Sequence, residues 1–297
     1  MKDLSLSPLF SNHNESLSRI VEILGEAKMI QLVTSADIES VLALCQLESA
    51  FLDRNLPYRR RVLPAIRHIP RDSIDAIPDS EGLVIHIDSF HETMDSLDLS
   101  GNRIHIHPVS CEVKFGSSQN VHHGALDCVS ICGALAELLA PEGTRVRKQR
   151  PLLISGAWLR QGIEANYDPV LSKLRDHLDS EGSILVCPLP EVPSPAKGMI
   201  PGLSERMLKR LSSGWSGMDV SERASAISEL VLPTLGEDGL STMRLEELVW
   251  HRAMIPGQDV DIASQLYLAA NEWPDGEDES RVHASSIADT LIKNGHF

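Results

Sequence analysis

Apolar residues at positions 17, 20, 21, 23 and 24 fall on one helical face and predict a helix over 16–27, which Gly25 and Lys28 bring to a close. The short apolar run 29–33 predicts a buried strand. Residues 38–52 place apolar side chains at 38, 41, 42, 45 and 52 and predict a second helix. After Pro57, "YRRRVLP" reads as a strand with a charged face. The run "GLVIHIDS" at 82–89 is β-branched and ends on Asp88, and "NRIHIHP" at 102–108 alternates and closes at Pro108. The apolar, alanine-rich stretch 127–141 predicts a helix stopped by Pro141, and 151–159 and 183–190 read as further strands.

Short strands alternating with helices predict an α/β fold: a parallel sheet with helices on both faces. The Pro/Gly-rich segment 190–203 reads as a linker, and the chain beyond it is expected to be mainly helical. Asp219 and Glu222 stand at capping-box spacing, 259–273 predicts one more helix, and "PDGEDESR" at 274–281 reads as a solvated acidic loop. The expected organisation is an α/β domain over 1–190, a linker over 191–203 and a smaller helical region over 204–297. In an open parallel sheet, ligands sit at the carboxyl ends of the strands. Asp37, Glu39, Asp88 and the residues around His107 all fall at expected strand ends.

Composition changes this picture little and charge changes it more. Hydrophobic content of 42% and charged content of 23% are those of an ordinary globular chain. No apolar run approaches the roughly 20 residues of a membrane span, and the polar start "MKDLSLSPLFSNHNES" has no signal-peptide core, so a cytoplasmic location is expected. Five scattered cysteines without a Cys-x-x-Cys argue against a disulfide framework or a structural zinc site. The formal charge is −15, with 15 basic against 20 acidic residues in 1–150 and 12 against 22 in 151–297. Such a chain repels a polyanion unless its basic residues gather locally. Two gatherings exist: Arg59, Arg60 and Arg61 with Arg67 and Arg71, and "RVRKQR" at 145–150, with Arg145, Arg147 and Lys148. Solvated loop charge is the plainer reading of both, and contact with single-stranded DNA is the alternative. Aromatic content of 4% leaves few stacking platforms for single strands.

The order of segments resembles the DHH phosphoesterases, in particular the archaeal RecJ-like proteins. Their first strand ends Thr-His-x-Asp-x-Asp-Gly, which falls here on Thr34-Ser35-Ala36-Asp37-Ile38-Glu39-Ser40. A second strand ending in Asp falls on Asp88. The Asp-His-His-Pro motif falls on His105-Ile106-His107-Pro108, and Gly-Ala-x-x-Asp, expected to end a strand, falls on Gly156-Ala157-Trp158-Leu159-Arg160. Beyond the linker, "GMIPGLSERMLKRLSSG" and "ELVWHRAMIPGQDVDIASQLYLAANEW" look like the helices that join the two domains of RecJ-like nucleases. The Gly-Gly-Gly-His signature of the family's second domain is missing from this sequence.

The resemblance implies phosphodiester cleavage by two divalent cations about 3.5–4 Å apart. Mn²⁺ or Mg²⁺ needs carboxylate oxygens, with imidazole added for manganese. The sequence retains Asp37 and Asp88 and has Glu39 in place of an Asp. Ser35 replaces a His, His105 and Ile106 replace Asp-His, and Arg160 replaces the last Asp. A guanidinium stays charged at accessible pH, so Arg160 reads as occupying the old metal site, neutralising Asp37 or Asp88. These positions then form a relic rather than a catalytic centre, and no cofactor is expected. Non-catalytic family members of this kind bind the GINS complex and, through it, the MCM helicase in DNA replication; the resemblance implies that role here. The alternative is an active, Mn²⁺-dependent phosphoesterase or single-strand exonuclease using Asp37, Glu39, Asp88, His105 and His107. Six of the 12 histidines (His86, His91, His105, His107, His122 and His123) lie within forty residues. His105 and His107 share a strand face and could join Asp88 in a rearranged single-metal site; hydrogen-bonded strand-end histidines are the plainer reading. No Gly-x-Ser-x-Gly elbow, phosphate loop or dinucleotide fingerprint is present.

Overall fold

The computed structural model describes residues 7–68, 82–115, 120–160, 169–236 and 240–297; Arg71 lies outside them. Five strands form the central sheet: β1 (Ile30–Ser35), β2 (Tyr58–Leu63), β3 (Leu83–Ile87), β4 (Asp98–Ser100) and β5 (Arg103–Ile106). Their order is β2-β1-β3-β5-β4; β2, β1, β3 and β5 run parallel, and the short edge strand β4 is antiparallel. The register pairs Thr34 with Ile87 and Ile87 with Ile106, so the three central strands end side by side.

Alternation along the strands explains where the core forms. Ile30 and Leu32, then Leu83, Ile85 and Ile87, then Ile104 and Ile106 share one face and enter the main core. Helices α1 (Asn14–Glu26), α2 (Ile38–Arg54) and α3 (Cys128–Leu139) contribute to the same core. Between Glu39 and Phe51 every residue of α2 is buried, so this helix is enclosed on all sides rather than on one stripe. It ends at Asn55, whose left-handed φ of 53° caps it. The opposite sheet face carries Gln31, Val33, His86 and His105.

Three segments differ from the sequence expectation. Residues 151–159 are not a strand: a 3₁₀ turn (Arg150–Leu153) runs into α5 (Ile154–Leu159). A fully buried helix and a buried strand give the same continuous apolar run, and here the packing against α3 selects the helix. A Cβ on Gly133 would collide with the Leu153 side chain, so this close approach depends on glycine. Residues 109–126, unassigned from sequence, form a hairpin of β6 (Val109–Phe115) and β7 (Asn120–Leu126). Acidic residues 277–279 are the first turn of α11 (Glu277–Asn294) rather than a loop, where carboxylates favour the helix dipole.

The rest of the fold completes two cores. After α4 (Thr144–Gln149) and α6 (Pro169–Ser180), β8 (Leu185–Cys187) pairs antiparallel with β9 (Arg252–Met254), away from the central sheet. The 191–203 segment is packed, with Ala196 N–H donating to Ser264 Oγ at 2.8 Å. Helices α7 (Glu205–Gly214), α8 (Val220–Val231) and α9 (Thr242–Trp250) bury Leu208, Leu211, Ile227, Leu230 and Leu248 in a second core around Trp215. Asp219 and Glu222 form the expected capping box of α8. Helix α10 (Ile262–Glu272) sends Ala263 to this second core and Ile262 and Leu266 to the first, and α11 buries Ala284, Ala288 and Leu291 in the first. The 204–297 region is thus shared between the two cores. Among the described residues no helix is long and apolar enough to cross a membrane.

Candidate functional site

The carboxyl ends of β1, β3 and β5 carry two adjoining groups of side chains. The first is imidazole-rich and lies on the sheet face away from the main core. His86 and His105 are register partners whose rings stack at 5.0 Å with planes 4° apart. His105 and His107, two residues apart and hence on one side, approach edge to face at 4.9 Å, and His91 lies 5.1 Å from both. His105 Nε2 faces Asp88 Oδ2 at 3.7 Å, an electrostatic contact rather than a hydrogen bond. Burial pushes the Asp88 carboxyl up, but the neighbouring His105 and His86 rings and the Phe90 N–H outweigh it and hold Asp88 below the usual range. Burial, reinforced by His105, lowers His86 to about 4, and burial also lowers His107, so both rings are neutral at pH 7. His122 and His123 stand apart, exposed on β7.

The second group sits where β1 turns into α2. Asp37 is the N-cap residue of α2, yet its carboxylate turns away to accept the Ile66 N–H at 3.0 Å. Glu39, in the first turn, is buried, and its Oε1 has no hydrogen-bond partner. Burial first, then the charges of Asp127 and Asp37, raise Glu39 to about 8, with Arg160 opposing. At neutral pH Glu39 is therefore mainly a protonated acid. Asp127 does not stand out in the sequence as a site residue, although an Asp directly before an apolar helix is an N-cap signal. It is fully buried and accepts from Ser130 N–H and Oγ, both at 2.9 Å, at the start of α3. A Cβ on Gly156 would strike its carboxylate, so the Gly-Ala pair of α5 lets this acid sit beneath the helix.

Arg160 follows α5 rather than a strand. The expected ion pairs with Asp37 or Asp88 do not form: the Asp37 carboxylate accepts from Ile66, and Asp88 faces His105. The Arg160 charge instead bears on Glu39 and Asp127. The two groups meet through Cys128, which comes directly after Asp127, contacts the carbonyl of Ile106 at 3.5 Å and feels the charge of Glu39.

The donors do not fit a pair of hard divalent cations as they are arranged. Asp37 accepts from the Ile66 N–H, Asp127 is committed to the α3 terminus, Ile106 has no donor atom, and a guanidinium bears on Glu39 and Asp127. Among the described residues, no group of three or more His, Cys, Asp and Glu side chains is placed to hold a metal ion.

The basic residues noted in sequence do not form one stripe. Arg59 and Arg61 alternate to the sheet face opposite Arg60. Arg60 is held by Glu48 at 2.6 Å, Arg145 by Asp53 at 3.0 Å, and Arg147 by Glu142. Lys148 Nζ donates to the Lys293 carbonyl at 2.9 Å.

Fold and site together define a mixed α/β protein with an acid- and histidine-lined edge at the ends of its parallel strands. No protein-family model matches this chain, and no curated protein matches it either.

Proposed function

We propose that the chain is a catalytically degenerate DHH-type protein of the RecJ-like kind, acting as a binding partner in DNA replication rather than as a nuclease. One observation supports the reading: Asp37, Glu39 and Asp88 follow adjacent parallel strands, but the Arg160 guanidinium bears on Glu39, a fixed positive charge where two dications would have to sit. Acids retained beside a permanent guanidinium suit docking better than cutting. The proposed partner is GINS, and through it the MCM helicase. The test is incubation of the purified protein with Mn²⁺ and either a short single-stranded oligonucleotide or a dinucleotide, alongside co-purification with GINS. The expected result is no turnover and a stable complex. Turnover that Asp88→Ala abolishes overturns the proposal.

The Asp88–His105 contact within the four-imidazole group favours a second reading, a rearranged Mn²⁺-dependent phosphoesterase. It requires that same turnover, lost in Asp88→Ala and in His105→Ala alike.

A further inference from the structure

Arg60 of the first basic gathering and Arg145 and Lys148 of the second, far apart in sequence, line one pocket at the other end of the sheet. Tyr58 and Arg60 of β2 pair with Ile30 and Leu32 near the start of β1, so this place is remote from the strand carboxyl ends. Leu52 in the last turns of α2, the start of α4 and the end of α11 border it, a half-open pocket of about 450 Å³. Small-molecule sites span roughly 300–1,000 Å³. One wall is apolar, made by Leu52, Tyr58 and Ile292, and the rim carries Arg60, Arg145, Lys148 and Lys293.

These four cations are not equally satisfied. Arg60 donates to both carboxylate oxygens of the buried Glu48 and lies 2.8 Å from Asp289 on the rim. Arg145 is paired with Asp53. The ammonium of Lys148 contacts a carbonyl, and Lys293 makes no ion pair among the described residues. Four cations thus meet three carboxylates, and the pocket is locally positive in a chain of net charge −15. That background decides the class of ligand. A polyanion approaching the surface meets repulsion from the whole molecule, whereas a small anion entering a pocket meets mainly its local field.

We infer that this pocket binds a small phosphorylated ligand of nucleotide size, its phosphate held by Lys148 and Lys293 and its less polar part against Leu52, Tyr58 and Ile292. Asp289, whose side chain is 74% exposed, acts as a stand-in counter-ion that the phosphate displaces from Arg60. The proposal is independent of the DHH reading.

Titration calorimetry of the full chain with AMP, adenosine and an oligothymidylate tests it. AMP is expected to bind and adenosine not to. Replacing both lysines (Lys148→Gln, Lys293→Gln) lowers AMP affinity about tenfold or more, the worth of one charge-assisted hydrogen bond. Asp289→Asn raises it about threefold, a surface-charge effect. All three side chains are exposed, so the variants keep the fold, which circular dichroism checks. Absence of AMP binding, unchanged affinity in the double variant, or binding of the oligonucleotide alone each overturns the proposal.

Discussion

Burial beside Asp127 and Asp37 holds Glu39 at about 8, against an ordinary 4.5. Between these two values the folded chain retains a proton that the unfolded chain has lost. Folding stability therefore falls as pH rises through that window, by roughly 1.4 kcal/mol per pH unit at most. Glu39→Gln removes the penalty. Urea unfolding should show the variant equal to the parent near pH 4.5 and more stable by a few kcal/mol near pH 8; equal midpoints at pH 8 would show Glu39 to be ionised. At this scale the sequence is partly legible. Asp37, Glu39 and Asp88 announce themselves as carboxylates after apolar runs. Asp127 does not, because its proximity to Glu39 arises from α3 packing on α2, across many intervening residues. Arg160 stands out as anomalous, but its pairing with Glu39 and Asp127 does not, since a sequence carries no direction for a side chain.

Among the elements, α4 and the turn after it show how a charged run can hide a core residue. "RVRKQR" reads as solvated charge, yet Arg150 at its end is among the largest fully buried side chains. It donates to Glu137 on α3 at 2.6 Å and to Glu181 beyond α6 at 2.7 Å, and lies 3.2 Å from His177. The charge ties three elements together. Arg150→Ala leaves two buried carboxylates without their cation and should cost about 3–5 kcal/mol, measured by denaturant midpoint at pH 7; a loss below about 1 kcal/mol would show that water reaches the network. The elements that the sequence anticipates correctly, β1, α2, β3, β5 and α3, owe this to strong periodicity with a clear stop. The β6–β7 hairpin carries a readable alternation in Val109, Cys111 and Val113, all buried. Likewise Ala284, Ala288 and Leu291 lie on one face of α11, but the preceding acidic run points to solvent instead.

At the scale of the whole molecule, the C-terminal helix returns to the first core and crosses the sheet edge. Arg60 of β2 donates to the Ser285 carbonyl at 3.0 Å, and Gln149 Nε2 donates to the Leu291 carbonyl at 2.5 Å. Trp273 Nε1, just after α10, donates to the carbonyl of Ala36 at 3.0 Å, next to Asp37, so the junction between α10 and α11 braces the strand-end site. Leu291→Ala should therefore destabilise the α/β unit itself, by about 2–5 kcal/mol. Amide exchange in β1 reads this directly: protection there falls if the helix belongs to that core, and stays unchanged if the C-terminal region folds apart.

The amino-acid sequence by itself determined the α/β class, since short β-branched strands alternating with longer amphipathic helices leave few other ways to bury both. It also placed Asp37 and Asp88 at the ends of β1 and β3. Only the tertiary structure decided that burial beside other acids pushes the Glu39 carboxyl up, that Arg160 serves Glu39 and Asp127, and that Arg60 shares a pocket with Arg145 and Lys148. Each of those depends on distances between elements, and charge, unlike periodicity, acts through space rather than along the chain.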